Sequence, residues 1–354
     1  MPKIQSSKHL FMNNFTEEYL SVNKIFNHLD RVKELTDTGD TLPIMMEIDP
    51  TNSCIHKCPR CPESGNRFAE ASLTLDFMKK AIDQTSPFLK AAVFTGGGEP
   101  LYNPNTIEAI KYAASKGLSV ALITNGTLIN EEKSEAIVRY CEWVRISIDA
   151  FDEKDYLQTH GIGEEYLQKV WHNIGLLVEA KKKFNTKCTI GVAYLVSKQN
   201  RKNMFKFAEK AKKANVDYCQ FRAFHYSDFD FASDLPKTKE LEDENFKVIA
   251  SMQRIVKEEG NFDACLGDYF RTVLAADGYL YPCCFTRGHK EFRLGNLAED
   301  DFLTIWNSEK RKEVFKNKLK FPDAPFLYLC RLDYLNKLLW TIREAKNLKH
   351  KNFV

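Results

Sequence analysis

Residues 44–61 read IMMEIDPTNSCIHKCPRC. The first six form a short apolar run with the look of a strand. The last eight place Cys54, Cys58 and Cys61 in a C-x3-C-x2-C loop. Cysteine thiolates suit zinc and iron–sulfur clusters. Structural zinc normally takes four ligands, commonly in two separated pairs. Three in one loop instead suit a four-iron cubane that keeps one iron open. In the zinc reading His56 could be the fourth ligand; otherwise it reads as a solvent-facing loop residue.

Outward from this loop, strand-like runs alternate with amphipathic stretches. The runs are 44–49, 91–96, 118–124, 143–149, 188–196 and 218–224, and helical patterns occupy 103–117, 130–141, 164–183 and 200–215. Strands alternating with helices imply parallel βαβ units. The expected fold is α/β, a partial (β/α)6 TIM-like barrel with a small C-terminal α+β auxiliary domain. In such folds the chemistry gathers at the C-terminal ends of the strands. The cysteine loop follows strand one, GGGEP (96–100) follows strand two and NGT (125–127) follows strand three, while Ser147 and Asp149 end strand four. These should converge on one rim. Glycines let backbone approach a ligand closely, and Glu99 offers a carboxylate to a cation, which suits an ammonium better than a phosphate.

The three-cysteine loop after strand one, with the glycine–glutamate motif after strand two, resembles the radical S-adenosylmethionine (radical SAM) superfamily over about residues 44–225. The resemblance implies a [4Fe–4S] cluster on Cys54, Cys58 and Cys61, whose open iron chelates S-adenosylmethionine. Reductive cleavage would then give a 5′-deoxyadenosyl radical that abstracts hydrogen from substrate. It also implies that Gly96, Gly97, Gly98 and Glu99 receive the cofactor's ammonium, and that Ser147 and Asp149 contact its ribose or carboxylate. Asn125 sits at the matching rim of strand three and is otherwise a turn asparagine. Arg222, ending strand six, could pair with a carboxylate and is otherwise a surface ion pair. Arg60 departs from the aromatic residue usual before the third cysteine, which bears on packing at the adenine.

Farther along, a charged stretch (about 236–259) reads as a helix, 263–285 as a hairpin turning at ADG, and 300–318 as a helix. Cys265, Gly278 and Cys283, followed by LGNL (294–297) and FLTIW (302–306), resemble the SPASM and shorter twitch auxiliary-cluster extensions of the same superfamily. The likeness implies a second iron–sulfur cluster on Cys265, Cys283 and Cys330, with Cys284 as a substitute for Cys283. Its fourth ligand could be Asp333, substrate or nothing. Cys141, Cys188 and Cys219 read as core residues, and His225 as structural. The expected divisions are a helical extension 1–40, the barrel 41–225, a linking helix 226–260, the auxiliary domain 261–335 and a basic tail 336–354.

With 51 basic and 48 acidic residues the net charge is only +3, which gives no electrostatic case for nucleic acid. No run of about 18 apolar residues occurs, so no membrane span is expected. The N-terminus lacks a signal-peptide core, and a cytoplasmic protein with reduced cysteines is expected. The leading expectation is a radical SAM enzyme performing a net oxidation of a small polar metabolite or sugar, reduced by a partner such as flavodoxin or ferredoxin. Peptide modification is the alternative within the class. A non-catalytic zinc or iron–sulfur protein is the alternative outside it.

Overall fold

The computed structural model describes residues 19, 21–59, 61, 70–163, 165–223, 231–251, 262–320 and 332–349. Arg60, His225 and Cys330 lie outside the described residues, as do the ends of the chain.

The strands, in chain order, are β1 (Met45–Ile48), β2 (Ala91–Phe94), β3 (Ser119–Thr124), β4 (Trp143–Ser147), β5 (Thr189–Val196), β6 (Tyr218–Ala223), β7 (Lys247–Ser251), β8 (Arg271–Leu274), β9 (Tyr279–Tyr281) and β10 (Gly295–Asn296). The α-helices are α1 (Leu29–Thr38), α2 (Leu75–Thr85), α3 (Thr106–Ser115), α4 (Glu131–Tyr140), α5 (Glu153–His160), α6 (Glu165–Lys183), α7 (Met204–Lys213), α8 (Leu235–Lys239), α9 (Phe302–Asn307), α10 (Glu309–Asn317) and α11 (Asp333–Ala345). One sheet runs in the order β10-β9-β8-β1-β2-β3-β4-β5-β6-β7. The pairings from β1 to β7 are all parallel. The six expected strands are present in the expected order, and the fold is a partial barrel with a C-terminal extension.

Local chemistry explains the crossovers. Asn130 accepts from the Lys133 amide and caps α4, and Asp152 accepts from the Asp155 amide and caps α5. Such caps satisfy amides that a helix start leaves open, each worth about 1 kcal/mol. Strand residues such as Met46, Val120, Ile146, Ile190 and Phe221 are buried in the main core.

Three expectations change. The charged stretch 236–259 is not one helix: α8 spans five residues and β7 follows, pairing with β6. Phe246, Val248 and Ala250 are buried. The open edge of β6 needs backbone partners, and this short apolar run supplies them despite its charged surroundings. Residues 336–345 are not a tail but part of α11. Leu339 there is 1% exposed and packs with Ile25, Val32, Leu35, Leu266 and Phe270, a burial worth about 1.5–3 kcal/mol. The Trp340 indole N–H also donates to the Ala264 carbonyl at 3.1 Å.

The third change concerns how the C-terminal region is attached. Its hairpin, β8 and β9, turns at Gly278 with φ 81° as the ADG motif predicts. β8, however, also pairs parallel with β1, so the hairpin continues the barrel sheet. Trp306 on α9 donates its indole N–H to the Thr41 carbonyl at 2.9 Å, a second tie, to the segment that leads into the barrel's first strand. Helix 300–318 breaks at Ser308, which caps α10 by accepting from the Arg311 amide.

Candidate metal centres

The cysteine loop leaves β1 through Pro50 and is stitched to its neighbours by backbone. The Asn52 amide donates to the Ala71 carbonyl at 2.9 Å, and the Lys57 amide to the His160 carbonyl at 3.0 Å. The Cys61 amide donates to the Cys58 carbonyl at 3.1 Å, forming the turn that brings the last two cysteines round. Cys54 is exposed, and Cys58 and Cys61 are half-buried. Burial pushes the Cys58 thiol up to about 12, with Cys61, Cys54 and Asp149 adding to it. Such a crowd of thiols pays for its proximity unless a cation takes the charge. The donor set therefore fits a thiolate-bound cluster.

The glycine loop closes one side. The Gly98 amide donates to the Thr51 carbonyl at 3.1 Å and the Glu99 amide to the Ser53 carbonyl at 2.9 Å. A Cβ on Gly98 would stand 2.2 Å from the Ser53 carbonyl oxygen, so only glycine allows this approach. Gly96 and Gly97 remain partly open at the rim. Glu99 is different. It is 2% exposed, and its carboxylate accepts from the Thr124 hydroxyl at 2.6 Å, the Asn125 amide at 2.7 Å and the Leu101 amide at 3.0 Å. Burial raises its carboxyl above the ordinary value, while these bonds favour the charged form. The side chain expected to receive an ammonium is thus already engaged in joining strands two and three, and glycine backbone is what the rim presents.

Asn125 points its amide nitrogen at Cys54 Sγ, 3.8 Å away, and its carbonyl oxygen accepts from the Thr127 amide and hydroxyl. Ser147 ends β4 opposite Ala193, half-buried. Asp149 takes a left-handed backbone, φ 52°, and its carboxylate accepts from the Leu195 amide at 2.8 Å. Its charge is felt at Cys58, so it borders the loop. Arg222 lies on β6 opposite Leu195 and Ser251, half-buried.

His56 is not a solvent-facing loop residue. It is 8% exposed, sits edge-on to His160 at 5.0 Å, and His160 stacks on Tyr156 at 4.2 Å. Burial lowers the imidazoles to about 4 and about 3 respectively, so both are neutral at pH 7. One ligand atom each from His56, Cys58 and His160 lies within 4.8 Å of the others. A zinc ion held there would share Cys58 with the three-cysteine set, so the two occupancies exclude each other.

In the C-terminal region Cys265 and Cys283 are both buried, and Cys284 is half-buried. Burial raises the Cys283 thiol, while the Lys318 ammonium, 3.5 Å from its sulfur, pulls the other way. Lys318 also pairs with Asp268, both nearly inaccessible. Asp333, the oxygen ligand suggested by spacing, lies on α11 with about a third of its side chain exposed and pairs with Lys337 at 3.5 Å. Cys141, Cys188 and Cys219 are buried core residues, as expected.

Sequence reasoning missed a buried charge network. Glu47 accepts from Arg271 at 2.8 Å, and Arg287 joins Glu47 at 3.4 Å to Asp49 at 2.7 Å. These four side chains are 6% exposed or less. The signal available was two carboxylates inside the apolar run IMMEID.

Comparison with known proteins agrees with this geometry. The radical SAM superfamily model matches residues 48–211, and the SPASM model, an iron–sulfur cluster-binding domain, matches residues 265–331. The chain is 26% identical over 317 residues to an AdoMet-dependent heme synthase of Methanosarcina barkeri, covering 79% of this chain and 86% of that protein. It is 23% identical over 335 residues to the antilisterial bacteriocin subtilosin biosynthesis protein AlbA of Bacillus subtilis, covering 87% and 70%. Its fold resembles that of Streptococcus suis SuiB bound to precursor peptide SuiA, with TM-score 0.63 and 15% identity over 92% of this chain and 82% of that one. Among the described residues no helix is long and apolar enough to cross a membrane. The chain belongs to the radical SAM superfamily and carries a C-terminal SPASM domain, so that a [4Fe–4S] cluster, S-adenosylmethionine and further iron–sulfur are its cofactors.

Proposed function

We propose that this radical SAM enzyme modifies a peptide. The observation that carries the reading is coverage: a bacteriocin biosynthesis protein aligns over 87% of the chain. The small polar metabolite expected from the sequence rested on the shortness of the C-terminal region. The SPASM match over 265–331 weakens that argument about room. A tetrapyrrole is the second reading, supported by the 26% identity to a heme synthase.

In this proposal Cys54, Cys58 and Cys61 hold the cluster, as thiolates once their protons have left to solvent. When bound there, the cluster and S-adenosylmethionine would supply the radical chemistry that removes a hydrogen atom from a substrate C–H bond. The chain's own residues hold and dry the site. Asn125 offers an N–H to the Cys54 sulfur. The neutral His56 and His160 back the loop without adding charge. Glu99 locks Thr124 and Asn125 so that the rim does not reorganise, and the backbone of Gly96–Gly98 leaves room for the methionine end of the cofactor. Ser147 and Asp149, at and just beyond the end of β4, and Arg222, near the end of β6, would serve as polar contacts for cofactor or substrate. An external reductant such as flavodoxin or ferredoxin supplies the electron for cleavage. A net two-electron oxidation would further require an electron acceptor, the role a C-terminal cluster would supply, and release of one proton to solvent.

The test is anaerobic reconstitution with dithionite and S-adenosylmethionine, followed by three substrate arms. These are short peptides encoded beside the gene, a porphyrin, and a panel of sugars and aminocyclitols. Stimulated 5′-deoxyadenosine release with loss of two hydrogens from a peptide is the expected outcome. Turnover confined to the porphyrin or sugar arm would replace the peptide reading. A colourless, zinc-loaded protein that releases no 5′-deoxyadenosine would return it to the non-catalytic class.

A further inference from the structure

A wholly buried carboxylate is almost always paired or metal-bound. Asp268 is 0% exposed. It lies on the 3-10 turn Leu266–Phe270, which starts from Cys265, and its amide donates to the Cys265 carbonyl at 3.3 Å. One carboxylate oxygen, Oδ2, is held by the Lys318 ammonium. The same ammonium reaches Cys283 Sγ at 3.5 Å. The other oxygen, Oδ1, is buried with no hydrogen-bond partner among the described residues. Leaving such an oxygen unsatisfied costs about 1–3 kcal/mol, more for a charged group.

Three features meet here. A carboxylate and a thiol stand side by side on one ammonium. The carboxylate keeps one oxygen unspent. The region matches an iron–sulfur cluster-binding domain. We propose that Asp268 is an oxygen ligand to iron in the C-terminal cluster, beside the Cys283 thiolate, with Lys318 bridging the two ligands as their charge partner. The proposal rests on that domain binding a cluster. Asp333, partly exposed and paired with Lys337, lacks the burial.

The charge balance is consistent. Cys283 gives up its proton to solvent on binding, Oδ1 donates a lone pair, and no electron is transferred. Lys318 then faces two anionic ligands, and their shared cation is what allows both to be dry. Oxygen is a harder ligand than thiolate, so this corner of the cluster should be its labile one.

The experiment uses the full chain carrying Cys54→Ala, Cys58→Ala and Cys61→Ala, so that only the C-terminal centre can hold iron. After anaerobic reconstitution about four irons are expected, with one Mössbauer site distinct from the rest. Asp268→Cys, whose thiolate can still pair with Lys318, should make the iron sites alike and slow iron loss in air several-fold. Asp268→Asn should shed one iron and leave a three-iron spectrum. The assignment falls if both substitutions leave spectrum, iron count and air-sensitivity unchanged, while the domain's cluster stands. An iron-free triple variant removes the cluster and the ligand together.

Discussion

The two cysteine centres differ most in how they treat charge. The loop at 54–61 sits at the mouth of the barrel with one thiol exposed and two half-buried, and its close neighbours are neutral imidazoles, glycine backbone and an inward-turned carboxylate. The C-terminal centre is closed: Cys283, Asp268 and Lys318 are buried, next to the network of Glu47, Asp49, Arg271 and Arg287. An open site with room and few fixed charges can admit a cofactor. A buried site whose carboxylate and thiol share one ammonium suits holding a cluster rather than admitting a cofactor. One sheet joins the two, because β8 pairs with β1 and Arg271 on β8 grips Glu47 on β1.

The largest effect should come from the open loop. Replacing Cys54, Cys58 or Cys61 by alanine is expected to abolish 5′-deoxyadenosine formation, since the cluster loses an anchor. Cys283→Ala should leave reductive cleavage of S-adenosylmethionine within about tenfold of the parent, an order-of-magnitude expectation from distant, independent sites. Equal losses in both assays, by chromatography of the nucleoside, would erase the division of labour.

Next in size is the network that fastens the two regions. Arg287→Met strips Glu47 and Asp49 of a buried partner and should cost about 3–5 kcal/mol, read as a fall in the urea midpoint of the cluster-free protein. A change under about 1 kcal/mol would mean that water reaches these carboxylates.

Glu99→Gln is intermediate. It weakens three hydrogen bonds to a buried acceptor and should cost about 1–3 kcal/mol. The pH dependence carries a sign. The folded chain raises this carboxyl above its ordinary 4.5, so above that value it binds the proton more tightly than the unfolded chain. Stability from the protonated form is complete below 4.5 and is lost as pH rises through the folded value. The parent's advantage over the glutamine form should therefore be larger at pH 5 than at pH 7. The opposite trend in paired denaturation curves would mean that the three hydrogen bonds outweigh burial, and no difference between the two pH values would place Glu99 among free, solvated carboxylates.

The smallest effect belongs to Asp333→Ala. Its pair with Lys337 is partly exposed and spans one helical turn, so about 0–1 kcal/mol is at stake and the iron content should not move. Loss of iron in that variant would shift the oxygen ligand from the buried turn to α11.

Some of this was readable in a linear string. A parallel strand with its crossover helix declares itself within a few tens of residues, and the strands β1–β6 stand where the apolar runs predicted them. Three thiols in eight residues and a glycine run at a strand end are likewise local, because their spacing is their chemistry. β7 escaped notice because its five residues sit among charges, and the cue that makes them a strand is the open edge of β6. Cys330 was named from spacing and lies outside the described residues.

The sequence by itself determined which residue types reach the rim and in what order, since strand period and motif spacing are short-range properties of the chain. Only tertiary structure decided which charges are spent. Glu99 is occupied by Thr124 and Asn125, some 25 positions away, and Asp268 meets Lys318 across 50. Burial and pairing depend on contacts between distant segments, and it is burial that turns a carboxylate from an ordinary solvated side chain into either a fastening or a ligand.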